Sequence, residues 1–322
     1  YEHELTDSVR GTTKALSSDS TNVESTDSNG LTAFGTDGFT VGTDTNYSDT
    51  TGSGMVAWNW KAGGTPTADN SAGAGATPTA GSVKIDGSNL GSALAGSIAA
   101  TRLSANTTAG FSIASYTGNL TSGETVAHGL SEAPDLVIVK VRNAARNWLI
   151  GSDSLTGTSW EKYLYFTTAA EVDDSSMWND TAPTSSVFTL GNNTDINGSS
   201  DTYIAYCFHS VEGYSKVGSY TSNANADGPF IYTGFKPAYL LVKGASLSVN
   251  WDVTDAVRNT YNVVNRRLAP NTTGVDDTSN VIDYLSNGFK VRSTSGGYND
   301  PANGTYIYLA FAESPFKTSN AR

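Results

Sequence analysis

Three stretches of the chain repeat one pattern. GFTVG (38–42) leads to VAWNW (56–60), VFTLG (187–191) to IAYCF (204–208), and GFKVR (288–292) to IYLAF (307–311). Each pair reads as a strand, a loop of Asn, Asp, Gly, Ser and Thr, and a second strand. A chain that spells one β unit three times is constrained to build the same local fold three times. In the second strands every other residue is bulky: Val56, Trp58, Trp60; Ile204, Tyr206, Phe208; Ile307, Leu309, Phe311. Period two puts each set on one face, which is expected to pack inward.

The repeat extends upstream. DSVRGT (7–12) begins 32 residues before Phe39, and DAVRNT (255–260) begins 34 before Phe289. The middle copy holds DSLTGT, from Asp153, at the matching distance, with Thr156 in place of Arg10 and Arg258. An arginine absent from one copy in three suits a structural role, paired with carboxylates of its own domain. The later copies share still more: SYTGN (115–119) with SYTSN (219–223), Pro134 with Pro237, Lys140 with Lys243, and Asn147-Trp148 with Asn250-Trp251.

These correspondences predict an all-β chain of tandem antiparallel β-sandwich modules in series, joined by a small-residue linker. Residues 1–61 read as the C-terminal half of a first module, whose N-terminal half is missing and expected before Tyr1. Residues 62–108 read as the linker, 109–213 as the second module and 214–322 as the third. Repeats of about 100 residues exceed solenoid units, which run roughly 20–50. The linker begins AGGTPTADNSAGAGATPTAGS, too poor in apolar residues to fold alone. Its later part carries Val83, Ile85, Leu90, Leu94, Ile98 and Leu103. Composition favours a plain linker there; the alternative is an extended chain laid along a neighbouring subunit.

Charge and composition narrow the function. The net charge of −12 repels polyphosphate, which argues against nucleic acid as a partner. No apolar run approaches the ~20 residues that span a bilayer, so membrane insertion is not expected. One cysteine, Cys207, permits no disulfide within the chain, and on a strand it would share a face with His209. A buried hydrophobe is the stronger reading of Cys207. Three histidines and one cysteine offer no zinc spacing. The acid pairs Asp173-Asp174 and Asp276-Asp277 fit solvated loops better than a Ca²⁺ loop, which needs six or more oxygens. The sequence therefore predicts no cofactor, no metal, no catalytic residues and no enzyme.

A ligand surface, where there is one, is expected on variable loops held by the sheets. Trp148 and Trp251 recur at one module position and read as core. Trp160 and Trp178 occur in the middle copy only, so the loops 156–163 and 172–184 with these two indoles are the first candidates for ligand binding.

DSVRGTTKAL, GLTAFGTDGFTVG, MVAWNWKAGG, TAGFSIASYTGN, HGLSEAPDLVIVK, DTYIAYCFHSVEGYSKVGSYT, DGPFIYTGFKPAYLLVK and NGTYIYLAFAESPFK resemble repeat modules in long proteins of marine bacteriophages. Those are described as tail-fibre or other virion structural proteins, some with lectin-like sandwich domains. The resemblance covers nearly the whole chain, but its motifs are packing motifs and bring no catalytic residue. It departs at the start, where such relatives carry DLVWIK-like residues before the first DSVRGT. It implies a non-enzymatic virion component, a tail fibre or surface appendage on the virion surface, assembled in the host cytoplasm. It further implies self-association into a homo-oligomer, a trimer being one option, contact with other virion proteins, and host surface glycans as ligands. Capsid decoration, a glycan-degrading depolymerase and a bacterial surface adhesin are the alternatives.

Overall fold

The computed structural model describes residues 2–49, 52, 54–158, 160–278 and 282–315. The end of the expected third module, 316–322, and Tyr1, 50–51 and 53 of the first lie outside the described residues. The fold is all-β, with several separate sheets and, among the described residues, two short helices.

The second copy contains β9 (Phe111–Thr117), β10 (Glu124–Ala127), β11 (Leu136–Val141), β12 (Leu149–Ser152), β13 (Lys162–Tyr165), β14 (Val172–Asp173), β15 (Val187–Leu190) and β16 (Thr202–Phe208). The helical turns α1 (Ser175–Trp178) and α2 (Thr194–Asn197) lie among them. Strands run β14-β13-β12-β11-β16-β9 in one large sheet, faced by the small β10-β15 sheet. The third copy repeats this with β17 (Ser215–Thr221), β18 (Phe230–Tyr232), β19 (Pro237–Gly244), β20 (Trp251–Asp255), β21 (Arg267–Leu268), β22 (Ile282–Leu285), β23 (Gly288–Val291) and β24 (Thr305–Ala312). Its large sheet is β17-β24-β19-β20-β21 and its small sheet β18-β23-β22. Corresponding residues do the same work in both. Tyr116 stacks on Tyr203 at 5.0 Å and Tyr220 on Tyr306 at 5.1 Å. Asn197 and Asn299, fully buried, each tie a loop to the start of their module, accepting from the backbone N–H of Asn119 and of Asn223.

Period two predicted the alternation but not its direction. The smaller set of β16, with Tyr203, Ala205 and Cys207, faces the interior of its own module. The bulky set, Ile204, Tyr206 and Phe208, faces a different core, shared with Ile307, Leu309 and Phe311 of the third copy and with Val9 and Leu16 of the first. The large sheets are therefore buried on both faces. The modules follow one another in sequence and close around one apolar centre. At one end of that centre, the equivalent residues Trp60, Phe208 and Phe311 meet in a ring of three aromatics, centroids 5.7–6.3 Å apart. At the other end Ser18 of the first copy donates to the Pro270 carbonyl of the third. Edge and tilted contacts of this kind add roughly 0.5–1.5 kcal/mol per pair beyond burial.

The first copy has β1 (Glu4–Leu5), β2 (Lys14–Ser17), β3 (Ser25–Thr26), β4 (Leu31–Phe34) and β5 (Phe39–Val41). Contrary to the sequence expectation, VAWNW at 56–60 forms no strand. The physical reason lies in pairing: β16 is held between β9 and β11, and β24 between β17 and β19. The described residues of 1–61 contain no counterpart of those flanking strands.

The segment expected as a linker is also structured. It forms β6 (Val83–Ile85), β7 (Ser88–Asn89) and β8 (Arg102–Asn106), and β8 extends the second module's large sheet by pairing antiparallel with β9. Asp86 and Gly87, with φ of 49° and 86°, make the two-residue turn between β6 and β7. Val83, Leu94, Ile98 and Leu103 are buried in the second module's core. The spacing of apolar residues serves an extended chain, but one laid along the chain's own module.

Candidate functional site

A corner that recurs at one position in every copy explains the repeated phrase. Asp7 Oδ1 accepts from the backbone N–H of Val9 (2.9 Å) and Arg10 (2.8 Å), and Arg10 Nε donates back to Asp7 Oδ2 at 2.5 Å. Asp255 and Arg258 repeat these bonds at 3.0, 2.8 and 2.5 Å. The arginine thus pairs with its own corner's carboxylate. Burial would raise the Asp7 carboxyl, but Arg10 and the hydrogen bonds it brings hold it below the usual range. In the middle copy Thr156 bonds Glu171 instead, and Lys162 sits 3.1 Å from that carboxylate.

Each corner then meets the next copy. Tyr206 of the second copy donates to Asp7, Arg142 makes two bonds of 2.9 Å to Glu24, and Trp148 Nε1 donates to the Ser17 carbonyl at 3.0 Å. Trp251 Nε1 repeats the last bond, to Tyr165 at 3.1 Å. Lys140 and Lys243, both fully buried, donate to the carbonyls of Thr21 and Thr168 in the preceding copy. Desolvation pulls both amines down to about 8. Junction one to two and junction two to three are the same interface used twice.

Where the copies meet lies a pocket of about 240 Å³. The first copy lines it with Ser18, Asp19, Ser20 and Thr21, the second with Asn147, Trp148, Phe166, Thr167 and Thr168, and the third with Asn271 and Thr272. Phe166 is fixed by stacking on Trp251 at 4.9 Å and Trp148 by its bond to Ser17. Asp19 is the single carboxylate of the lining, and its Oδ1 accepts from the His3 backbone N–H. Hydroxyls, carboxamides and two held aromatic rings can donate to, accept from and pack against a neutral polyol.

Sequence reasoning missed this pocket, because its walls come from three distant stretches. It had singled out Trp160 and Trp178, and the structure corrects that reading. Both are buried in the second module's core, 2% and 1% exposed, in a T-shaped pair 5.1 Å apart. Gly151 on β12 leaves the space they fill; a Cβ there would lie 2.4 Å from Trp160 and 2.5 Å from Trp178. Buried this far, neither ring offers a face for a ligand to stack on. Trp148 and Trp251 are buried as expected, at the junctions. Cys207 lies in the second core with its thiol pushed up to about 12 by burial, which leaves no reactive thiolate. Asp174 caps α1, and Asp277 pairs with Arg267 at 2.8 Å. Among the described residues, no group of three or more His, Cys, Asp or Glu could hold a metal ion, and no helix is long and apolar enough to cross a membrane.

One family model matches the chain over residues 1–86 and 84–315; it is described as a domain of unknown function, DUF7483. No curated protein and no solved structure matches.

Proposed function

The chain belongs to the DUF7483 family, and we propose that it is a structural component of a phage virion, a tail fibre or comparable appendage that contacts the host surface without catalysis. The observation that carries the reading is the three-copy pocket with its hydroxyl, carboxamide and aromatic lining. Such a lining suits a sugar of a surface glycan, held by hydrogen bonds and ring contact. A single lining carboxylate supports recognition over cleavage, because glycoside hydrolysis in most families uses two. One shallow polar pocket binds weakly, so attachment would draw on several chains in a homo-oligomer, where avidity multiplies modest affinity. The resemblance of the packing motifs to phage repeat modules supports the virion placement.

The test has two parts. Gold-labelled antibody against residues 110–315 is applied to native particles in electron microscopy; label on the tail or its fibres supports the reading. Label over the shell makes the protein a decoration, and label on no particle overturns the virion role. Host polysaccharide is then titrated against the chain and a Thr167→Trp variant that fills the pocket. Loss of binding in the variant supports the site, and release of reducing sugar overturns the non-catalytic reading.

A further inference from the structure

The repeated junction has a third position that this chain leaves uncovered. At the first two, the corner's apolar residue lies under the next copy: Val9 is 1% exposed and Leu155 8%. The equivalent Val257 of the third copy is 83% exposed, and nearby in sequence Tyr261 is 84% exposed. The third corner is not idle. Trp58 of the first copy lies against it, with the Arg258 guanidinium 5.6 Å over its ring. Trp58 corresponds to Tyr206, which touches Asp7 and Arg10 at the first junction. So the first copy takes the place of a "next" copy for the third, and the order of junctions is cyclic.

Only half of that junction is supplied. At the other two, a strand of the front half contributes a buried lysine that donates across the boundary, and a tryptophan just after that half donates a second bond. At the third, the corner is met by the segment carrying Trp58 and Trp60, which has no flanking strands among the described residues, and Trp58 Nε1 is buried without a hydrogen-bond partner among them.

We propose that the surface formed by residues 56–60 and the corner 255–261 is a docking site for a front half-module of this same repeat. The occupant is the strand set that residues 110–146 and 214–248 provide at the other two positions. It would pair with both edges of 56–60, turning that segment into the central strand its alternation encodes, and would cover Val257. Continuity with an interface used twice in the chain identifies the occupant; the reading of the pocket is not needed for it.

Aligning Asp7 with Asp153 sets Tyr1 opposite Asn147, so residues 110–146 fuse to Tyr1 without a spacer. Hydrogen exchange and thermal unfolding are compared for the full chain and this fusion. A second fusion carries residues 214–248, since Asp255 sets Val249 opposite Tyr1. The expected result is exchange at 56–60 slowed by about tenfold or more and a Tm raised by about 5 °C. Val257→Asp is expected to abolish both gains in the fusions while leaving the unfused chain, where Val257 faces solvent, unchanged. Unaltered exchange at 56–60 in both fusions overturns the proposal. Protection of 56–60 in the unfused chain that grows with concentration also overturns it, since the occupant is then a second copy.

Discussion

The Tyr206 hydroxyl donates to Asp7 Oδ2 at 2.8 Å across 199 positions of sequence, and Arg10 reaches the same hydroxyl at 3.2 Å. This contact joins the second copy's central strand to the first copy's corner inside a buried junction. A buried carboxylate–guanidinium pair is costly to desolvate, so its worth depends on every remaining lone pair and proton being met. Tyr206, Leu5 and Glu24 meet them for Asp7 and Arg10.

Removing one partner exposes that dependence. Arg10→Ala strands the Asp7 charge and is expected to cost about 3–5 kcal/mol. Arg258→Ala, at the corner whose apolar residue faces solvent, is expected to cost less than half of that. Urea unfolding of the two variants measures the difference; equal losses would mean the second copy's cover over the first corner contributes nothing.

Gly151→Ala puts a methyl group where Trp160 and Trp178 already stand, within 2.5 Å of both rings. Neither ring is the free end of a flexible chain, so overpacking is expected to cost about 1–3 kcal/mol. Near-ultraviolet circular dichroism should change in the indole region along with the loss of stability. A neutral substitution would remove the argument that Gly151 makes room for this pair.

Asp252 is fully buried and its carboxyl is pushed up to about 7, chiefly by desolvation, which outweighs Arg267 at 2.8 Å. The unfolded carboxyl titrates near 3.9. Between those values the unfolded chain has released a proton that the folded chain keeps, so this group's contribution falls as pH rises from about 4 to about 7. Lys243, Asp277 and Arg267 are the charged groups around it. Asp252→Asn removes the titration. The stability of wild type relative to the variant should decline across that window and level off above it. A rising difference reverses the sign and contradicts the burial argument.

Much of this was legible in the residues. The corner phrase and the paired tryptophans and lysines appear as repeats, and the structure places Trp148 with Trp251 and Lys140 with Lys243 at equivalent sites. Three things were not legible. Alternation tells which residues share a face but not what covers it, so Ile204, Tyr206 and Phe208 were assigned inward when they meet neighbouring copies. Val83, Leu94, Ile98 and Leu103 are sparse, and their burial comes from pairing with an edge strand that composition does not register. Trp160 and Trp178 stand beside charges in stretches that read as loops, and the gap at Gly151 that receives them exists only once β12 and α1 are in place. The pocket draws on three stretches over 250 residues apart at the extremes, from Ser18 to Thr272, and no local pattern announces it.

Small-angle X-ray scattering of the purified chain tests most directly whether the three copies share one core. A folded body of this length is expected to have a radius of gyration of about 20 Å. A value near that, unchanged on dilution, is the predicted result. A value above about 27 Å, with the broad profile of modules moving on a flexible tether, would contradict the shared core and return the chain to separate beads.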